Sequence, residues 1–460
     1  MFKQALINYL KTASLCQSDE DCVWDIVEQE PYGRCMVAKR DIQVHELILN
    51  DKPLFVGPRV NNYDKIFCVC CYKILEKLTL CTEKCKFPVC SECSVSKAHQ
   101  KECELIKSWK LKNDNKYSKY LFRALTVIRG LLLSENDTAL MHMMACHENG
   151  NIQNMEVDKI LDEFDGLTAE CETIQKLKKI SAVLNTNAFE VGIANLSLRG
   201  LYPLAAVMNH NCVPNIRYAY EENSVMVVRA SKLIKKGEQI FNSYTKFLWG
   251  TQQRRVHLGY SKNFMCQCER CLDPTEFDCL VGAIKCIRPS CDNHMLPLNP
   301  LVITSPWKCG KCNMKLDHAR VSKIYDIFSK QIFNRILKEP MSSMNQYLKD
   351  KLWKIAPPSN QFTIEVKLQI ILKLKQDINY TMSLEDYQDV EQYCYDVLDI
   401  ITRLKAGECF VKGLLYYEMV KTKLKILELK SLEIDDVSFN LHTSLIFYVQ
   451  KNCKCEWLRC

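Results

Sequence analysis

The sequence predicts an α+β protein of several domains, in which β-rich and helical segments alternate with cysteine-rich ones. Residues 23–56 and 186–245 contain short apolar stretches separated by turn residues, which is the pattern of β-strands. Residues 114–184 and 322–452 carry apolar residues at helical spacing. The cysteines concentrate in two stretches, 68–103 and 266–312.

The 460-residue chain is 47% hydrophobic and 25% charged, which excludes a disordered protein, and it contains 27 cysteines. At roughly 100–200 residues per domain, this length allows two to four domains. Lysines interrupt residues 1–15, so we expect no secretory signal, and no apolar run of about 18 residues predicts a membrane span. We therefore expect reduced, metal-binding thiols rather than disulfides, in the nucleus and/or the cytoplasm.

Turn residues mark the β-rich segments. Gly33, Asp51 and Pro53 interrupt the apolar stretches of the first segment. In the second, the run V-M-V-V-R-A (225–230) precedes the turn K-K-G-E (235–238). Both segments therefore predict strands joined by tight turns.

The helical segments show buried stripes. One stripe has the spacing of a single helix face: Ile174, Leu177, Ile180, Val183 and Leu184. Two long helices are predicted over Leu384–Lys405 and Phe410–Lys430, joined near Gly407. Such pairs can stack like a tetratricopeptide array, but no repeat has a fixed period, so we favour a helical bundle.

Ligand-type residues crowd the first cysteine-rich segment. Zinc takes four sulfur or nitrogen ligands in a tetrahedron, and short turns supply them in pairs. The segment offers four pairs, enough for two ions: Cys68 with Cys71, Cys81 with Cys85, Cys90 with Cys93, and His99 with Cys103. Cys70 lies beside Cys71 and can substitute for either neighbour.

The second cysteine-rich segment predicts two more sites. The motif C-Q-C-E-R-C supplies three ligands and needs a fourth from elsewhere: Cys266, Cys268 and Cys271. Downstream, four cysteines are spaced like a zinc ribbon that closes on itself: Cys286, Cys291, Cys309 and Cys312. Cys279 can compete with Cys286 for a place in this ribbon.

The ligand order of the first segment resembles a MYND finger, with a Cys-x2-Cys opening and a His-x3-Cys close. The Cys81–Cys85 spacing is one residue longer than usual, and the Cys90–Cys93 spacing is one shorter. The resemblance implies interleaved ligands, with one zinc on Cys68, Cys71, Cys90 and Cys93 and the other on Cys81, Cys85, His99 and Cys103. It also implies peptide partners, often containing proline; direct DNA binding is the weaker hypothesis.

Four further motifs resemble a SET-domain lysine methyltransferase: Y-G-R-C-M-V-A-K-R-D-I-Q-V-H-E-L-I (32–48), N-H-N-C-V-P-N (209–215), G-E-Q-I-F-N-S-Y (237–244) and F-M-C-Q-C-E-R-C (264–271). A MYND finger between the halves of a SET domain marks the SET-and-MYND (SMYD) family. L-F-V-G-P-R (54–59) and Y-T-K-F-L-W-G-T-Q-Q-R-R-V-H-L (244–258) look most like its arthropod-type SmydA members.

This resemblance implies S-adenosylmethionine as cofactor and assigns roles by motif. The implied cofactor-binding residues are Gly33, Arg34, Asn187, Asn209, His210, Tyr244 and Phe264. His210 would act through its backbone, and Phe264 would stack on the adenine. Tyr244 is the implied catalytic residue, which orients the lysine amine. Cys212 is the implied fourth ligand beside Cys266, Cys268 and Cys271.

The implied function is methyl transfer to lysines of histones or other proteins, with a role in transcriptional regulation. Three residues depart from the family pattern: Cys35 and His45 replace glycines, and Asn211 replaces a serine. If the backbone at Cys35 must approach the cofactor closely or take positive φ, its side chain costs cofactor affinity, whereas His45 is a milder change if the turn tolerates it. The alternative is therefore a catalytically silent adaptor or corepressor that binds partners through the finger and the helical C-terminus.

The predicted organisation has six segments. They are the N-terminal part of the SET domain (1–65), the MYND finger (66–104), a helical insert (105–184), the SET core (185–264), a post-SET and ribbon-like region (265–320) and a C-terminal helical domain (321–460). The closing Cys453, Cys455 and Cys460 form either a metal-binding tail or exposed thiols.

The formal charge of +8 does not by itself indicate nucleic-acid binding. Two zinc ions in the finger, one in the post-SET loops and a fourth in the ribbon would be held by fifteen thiolates and His99. Because the thiolates carry −15 and the ions +8, the formal net charge then falls to +1.

Overall fold

The structure of the protein, a computed structural model, describes residues 2–13, 15, 20–59, 65–83, 85–110, 112, 119–146, 151–167, 172–193, 196–373 and 382–430. The chain divides into two compact units. The first comprises Met1–Arg40, Leu47–Met208 and Tyr218–Val228, and the second comprises Asp41–Glu46, Asn209–Arg217 and Arg229–Cys460. The six predicted segment boundaries stay predictions.

Strands are short and helices numerous, as the α+β prediction requires. The strands are β1 (Trp24–Gln29), β2 (Gly33–Ala38), β3 (Leu47–Asp51), β4 (Phe55–Pro58), β5 (Phe189–Ile193), β6 (Leu196–Leu201), β7 (Ile216–Tyr220), β8 (Met226–Ala230), β9 (Ile284–Lys285), β10 (His294–Pro297), β11 (Trp307–Cys309) and β12 (Lys315–Leu316). They form four sheets, with strand orders β1-β2, β4-β6-β5, β3-β8-β7 and β12-β11-β10-β9. The strand predictions for residues 23–56 and for the run at 225–230 are thus confirmed.

The helices are α1 (Phe2–Thr12), α2 (Ser91–Ser94), α3 (Lys97–Ser108), α4 (Lys119–Leu131), α5 (Glu135–His142), α6 (Asn151–Glu163), α7 (Glu172–Asn187), α8 (Thr251–Lys262), α9 (Glu269–Leu272), α10 (His318–Asn334), α11 (Met341–Tyr347), α12 (Trp353–Ile355), α13 (Gln361–Lys373), α14 (Leu384–Arg403) and α15 (Phe410–Leu429). Short 3-10 turns lie at Ala205–Val207, Glu222–Ser224 and Ile336–Lys338, and a π-helical turn lies at Leu348–Leu352. Within the described ranges, no helix combines the length and apolarity needed to cross a membrane.

An apolar core of the first unit is formed by helices α3–α7, the cysteine-rich segment 68–103 and strands β4 and β6. The predicted stripe on α7 is buried throughout, which confirms that this helix turns one face to the core. At the end of β3, the buried Asp51 carboxylate accepts hydrogen bonds from the N–H groups of Leu204 (2.9 Å) and Ala205 (2.8 Å). These bonds satisfy donors at the start of the 3-10 turn that leads into the motif at 209–215.

The second unit contains the predicted helical C-terminal region. Helix α14 begins with a capping box, in which Ser383 and Asp386 satisfy each other's backbone N–H groups. Helix α14 packs against both α13 and α15 around an apolar core, and Gly407 lies in the α14–α15 connection as expected. The choice between a bundle and a repeat array stays a prediction. Residues 431–460, with the end of the predicted helical segment and Cys453, Cys455 and Cys460, lie outside the described residues.

Candidate metal clusters and cofactor-binding loop

Four groups of four ligand-type side chains meet in the described part of the chain. They are cluster 1 (Cys68, Cys71, Cys90, Cys93), cluster 2 (Cys81, Cys85, His99, Cys103), cluster 3 (Cys212, Cys266, Cys268, Cys271) and cluster 4 (Cys286, Cys291, Cys309, Cys312). Within each cluster all ligand atoms lie within 4.8 Å of one another. With Zn–S bonds of about 2.3 Å, sulfurs at the corners of a tetrahedron lie about 3.8 Å apart. The residues therefore fit one zinc ion per cluster.

Clusters 1 and 2 interleave along the sequence, in the grouping that the family resemblance implied. The Sγ atoms of Cys71 and Cys90 are 3.9 Å apart, and those of Cys81 and Cys103 are 3.8 Å apart. His99 and Cys103 lie four residues apart on α3 and so share one helix face. His99 presents Nε2 to Cys81 Sγ at 3.0 Å. Cys70 is outside cluster 1 and lies beside His99 and Glu102.

Cluster 4 is built on the sheet of strands β9–β12. The Sγ atoms of Cys286 and Cys312 are 3.4 Å apart, and those of Cys291 and Cys309 are 3.7 Å apart. Cys279, the alternative to Cys286, is buried in the apolar core of the helical region instead. Its thiol contacts the carbonyl oxygens of Phe277 and Ile400. Cys286 is therefore the member of this cluster.

Cluster 3 gathers residues from two distant parts of the sequence. Cys212 Sγ lies 3.5 Å from Cys271 Sγ and 3.8 Å from Cys266 Sγ. Cys212 thus supplies the fourth position that the 266–271 motif lacks. This cluster is mostly buried and packs against Leu258 and Tyr244.

The motifs at 209–215 and 237–244 lie side by side, held by backbone and asparagine hydrogen bonds. Asn211 N–H donates to Asn242 O, and Asn242 N–H donates to Asn209 O, both at 2.9 Å. Asn215 donates through Nδ2 to Gln239 O and accepts at Oδ1 from Phe241 N–H, both at 2.7 Å. The Asn215 side chain thus ties the first motif to the second, whereas the bonds among Asn209, Asn211 and Asn242 are between backbone groups.

His210 links Tyr244 to cluster 3. Its Nδ1 accepts a hydrogen bond from Tyr244 N–H at 2.9 Å, so its Nε2 carries the proton that faces Cys212 Sγ at 3.3 Å. The His210 ring centroid lies 5.3 Å from that of Tyr244 and 5.8 Å from that of Phe264. Burial raises the pKa of the Tyr244 hydroxyl, so this group stays protonated at neutral pH.

The remaining sequence-predicted cofactor residues belong to the first unit. Gly33 opens β2 with φ +70°. Arg34 Nη1 donates to Met143 O at 2.8 Å, and Asn187 Nδ2 donates to Ala145 O at 2.7 Å. Both side chains therefore anchor the residues that follow α5, a role that the sequence did not indicate.

The three departures from the family pattern have different structural settings. Cys35 is a buried strand residue opposite Val27 and has no positive φ, so the backbone accepts its side chain. His45 instead takes φ +70°, and its Nδ1 accepts from Arg217 Nη2 at 3.0 Å. Asn211 Oδ1 accepts from Val213 N–H at 2.9 Å. Positive φ is therefore not a cost of the Cys35 side chain, because the left-handed position is that of His45. The cost of a close approach to the cofactor at Cys35 stays a prediction.

Sequence reasoning missed two buried arginines beside cluster 3. Arg254 and Arg270 are fully buried, and both pair with the buried Glu276. An arginine on an amphipathic helix is normally read as a solvent-facing residue. The signals in the sequence were the positions of Arg254 in the SmydA-like stretch 244–258 and of Arg270 in the 266–271 motif.

Comparison with known proteins agrees with this architecture. The SET domain family matches residues 33–245. The chain is 32% identical over 406 residues to the SET domain-containing protein SmydA-8, isoform A, of Drosophila melanogaster, which covers 86% of this chain and 88% of that protein.

Two further relatives differ in how much of the chain they cover. Histone-lysine N-methyltransferase ASHR1 of Arabidopsis thaliana is 22% identical over 86% of each chain. N-lysine methyltransferase SMYD2 of Homo sapiens is 38% identical over 92 residues, 20% of this chain and 21% of that protein. Because the similarity to SmydA-8 runs over most of both chains, the chain belongs to the SET-and-MYND (SMYD) family and is of the arthropod SmydA type.

Proposed function

We propose that this protein is an S-adenosylmethionine-dependent protein-lysine methyltransferase that acts on histones or other proteins in the nucleus and/or cytoplasm and contributes to transcriptional regulation. The observation that carries the proposal is the connection of Tyr244, His210 and Cys212 through the two motifs that lie side by side. The names of its relatives SMYD2 and ASHR1 support the reaction class.

Methyl transfer to a lysine amine is a bimolecular displacement, so most of the catalytic work is positioning and exclusion of water. S-adenosylmethionine supplies an electrophilic methyl group. Asn209, Phe264 and the backbone of His210 are the residues of the second unit that would hold it. Tyr244 keeps its proton and orients the neutral amine by hydrogen bonding.

We propose that clusters 1 and 2 form a MYND finger with two zinc ions, that cluster 3 is a post-SET zinc site, and that cluster 4 holds a fourth zinc. The donor sets fit zinc in each case. The finger exposes a set of large apolar side chains: Ile74, Leu78, Leu80 and Val95. This surface suits a peptide with apolar or proline residues.

The same exposed surface favours the second candidate function, a catalytically silent adaptor. An adaptor needs the finger and the helical region but neither cofactor binding nor Tyr244. The two functions therefore differ in a single measurable property, the binding of S-adenosylmethionine by the zinc-loaded protein.

Calorimetry with S-adenosylmethionine on the zinc-loaded full chain separates these functions. We expect binding; a zinc-loaded chain without binding would contradict the enzyme and leave the adaptor. Transfer of labelled methyl to core histones then tests the catalytic residue. For Tyr244→Phe we expect about a 100-fold or greater loss of transfer, as for loss of one oriented hydrogen-bonding group, with cofactor affinity nearly unchanged.

Tyr260→Phe is the matched control, because Tyr260 is 83% exposed on α8. Its transfer rate should equal that of the unmodified chain. Unchanged turnover in Tyr244→Phe would show that the catalytic assignment is wrong.

A further inference from the structure

Cluster 3 is surrounded by charged side chains that have no access to solvent. The side chains of Arg254 and Arg270 are 0% exposed, and that of Glu276 is 2% exposed. Burying an ion costs several kcal/mol unless other charges and hydrogen bonds compensate it. A network of this kind beside four cysteines therefore requires an explanation.

Every N–H group of the Arg254 guanidinium has a partner. Nε donates to Cys212 Sγ at 3.2 Å, and Nη2 donates to Cys271 Sγ at 3.5 Å. Nη2 also donates to Thr251 Oγ1 at 2.9 Å. Nη1 donates to Glu276 Oε2 at 2.6 Å and to Trp249 O. All five donors are used, two of them on sulfurs of the cluster.

Glu276 and Arg270 complete the network, and Arg270 Nη1 also donates to Cys212 O at 3.4 Å. Glu276 Oε2 also accepts from Arg270 Nε, and its Oε1 accepts from Thr251 N–H, both at 2.9 Å. Arg270 Nη1 donates to Phe247 O at 2.7 Å. Glu276 therefore fixes both arginines with respect to helix α8 and the 266–271 motif.

The charges explain why an arginine points at the sulfurs. A zinc ion with four thiolates carries a net charge of −2, and in a buried site nothing in the solvent screens it. Arg254 and Arg270 add two positive charges and Glu276 one negative charge, which leaves the assembly at −1. Without Arg254 the buried assembly would carry −2, and the sulfurs of Cys212 and Cys271 would lose a charged donor each.

We propose that Arg254 is a positioning residue of this zinc site: it holds the thiolates of Cys212 and Cys271 and thereby the side chain of His210, which rests on the same sulfur. The inference rests on the zinc occupancy of cluster 3 stated under the proposed function. The hydrogen bonds from Arg254 and His210 converge on Cys212 Sγ, and His210 in turn accepts from Tyr244 N–H. Arg254 thus connects the metal site to the loop that carries the proposed catalytic residue.

Site-resolved alkylation during chelation tests the proposal. The zinc-loaded full chain is mixed with a chelator and N-ethylmaleimide, and mass spectrometry follows the cysteines of cluster 3, with those of cluster 4 as internal reference. For Arg254→Met we expect the cluster 3 cysteines to react about 10–100-fold faster, since loss of an outer-shell partner weakens metal affinity by that factor. The rate at cluster 4 should not change.

Arg255→Met is the matched control. Arg255 is also buried on the same helix, but its described hydrogen bonds go to the carbonyl oxygens of Cys266 and Leu301 and not to sulfur. We expect the cluster 3 cysteines of this variant to be alkylated within about 3-fold of the rate in the unmodified chain, well below the acceleration expected for Arg254→Met. An equal acceleration in both variants, or at both clusters of Arg254→Met, would show a structural role only and overturn the proposal.

Arg254→Lys keeps the test decisive if the methionine variant does not fold. Lysine retains the charge but has three donors instead of five in a fork, so we expect faster, cluster-selective release here too. A count of the zinc ions bound to the unmodified chain separates the proposed zinc site in cluster 3 from the positioning role of Arg254. If cluster 3 of the unmodified chain holds no zinc, the proposed metal site is contradicted. If it holds zinc but both Arg254 variants release zinc as slowly as the unmodified chain, only the positioning role of Arg254 is contradicted.

Discussion

Asp51 is a carboxyl group placed where water cannot reach it. Burial raises the pKa of this group to about 7, although hydrogen bonds from Ala205 N–H, the Tyr9 hydroxyl and Leu204 N–H act in the opposite direction. In the unfolded chain the pKa of an aspartate is about 3.9. The folded first unit therefore binds a proton here over a pH range in which the unfolded chain does not.

This pKa difference makes stability depend on pH in a predictable direction. The contribution of Asp51 is fully present below about pH 4 and is lost as the pH rises through 7, with a magnitude on the order of a few kcal/mol. Asp51→Asn cannot ionise, and its amide can pair with the Tyr9 hydroxyl. We expect the stability of this variant relative to the unmodified chain to rise between pH 5 and pH 8, measured by denaturant unfolding.

Asp41→Asn is the control for that series. Asp41 is exposed and its pKa is lowered, first by its hydrogen bond with Lys235. Its contribution is lost only as the pH falls through the lowered pKa, below the chosen window. Its relative stability should therefore stay flat between pH 5 and pH 8, and a flat curve for Asp51→Asn as well would contradict the pKa assigned to Asp51.

Single positions also show what sequence reasoning can and cannot supply. The four clusters follow from spacing and family resemblance, because ligand types and intervals are properties of the sequence. The positive φ of His45 does not follow from the sequence, because a histidine in a turn can adopt the right-handed or the left-handed backbone region and its identity does not distinguish them. The role of Arg254 was equally hidden: its burial depends on where α8 packs, and the helical pattern does not specify that.

At the scale of elements, the α14–α15 connection depends on a glycine. Gly407 has φ +67°, and a Cβ atom there would lie 2.4 Å from Ser231 O. The adjacent Glu408 N–H donates to the same oxygen at 2.7 Å, so the backbone cannot move away without losing that bond. The connection therefore approaches the Ser231 backbone too closely for any side chain.

We expect Gly407→Ala to lower the free energy of unfolding by about 2 kcal/mol or more, because conformational strain and a backbone clash add. Gly33→Ala is the matched comparison. Gly33 has φ +70° but nothing within 4 Å of the added Cβ, so this variant should show the conformational cost alone, about 1 kcal/mol. Thermal and denaturant unfolding measure both losses. If the two variants lost the same free energy of unfolding, the backbone contact between residue 407 and Ser231 would relax without cost.

Elements were predicted well where periodicity is strong and poorly where it is weak. The stripe on α7 and the strands of residues 23–56 appear as expected, since burial of one face imposes its period on the sequence. Helices α1 and α3 were not anticipated. Helix α3 carries two ligands of cluster 2. Its sequence pattern reflects the spacing of these ligands rather than an apolar face, so apolar periodicity does not predict it.

At the scale of the whole molecule, metal and charge are coupled. The formal charge of +8 counts every thiol of the chain as protonated. Zinc binds thiolates, and each cysteine that becomes a ligand releases its proton. Because the four clusters contain fifteen cysteines and one histidine, full zinc loading should lower the net charge to +1 although cations are added.

The protons taken up on zinc removal therefore count the ligands. We expect chelation of the zinc-loaded chain at pH 7 to consume about fifteen protons per chain, corrected by titrating the chelator with zinc alone. Native mass spectrometry should show four zinc ions. The double variant Cys309→Ser, Cys312→Ser removes cluster 4 and should lower these values to about eleven protons and three ions. An uptake of eleven protons by the unmodified chain would contradict a metal in cluster 4. If both chains took up the same number of protons, and more than eleven, other residues would have replaced the lost ligands.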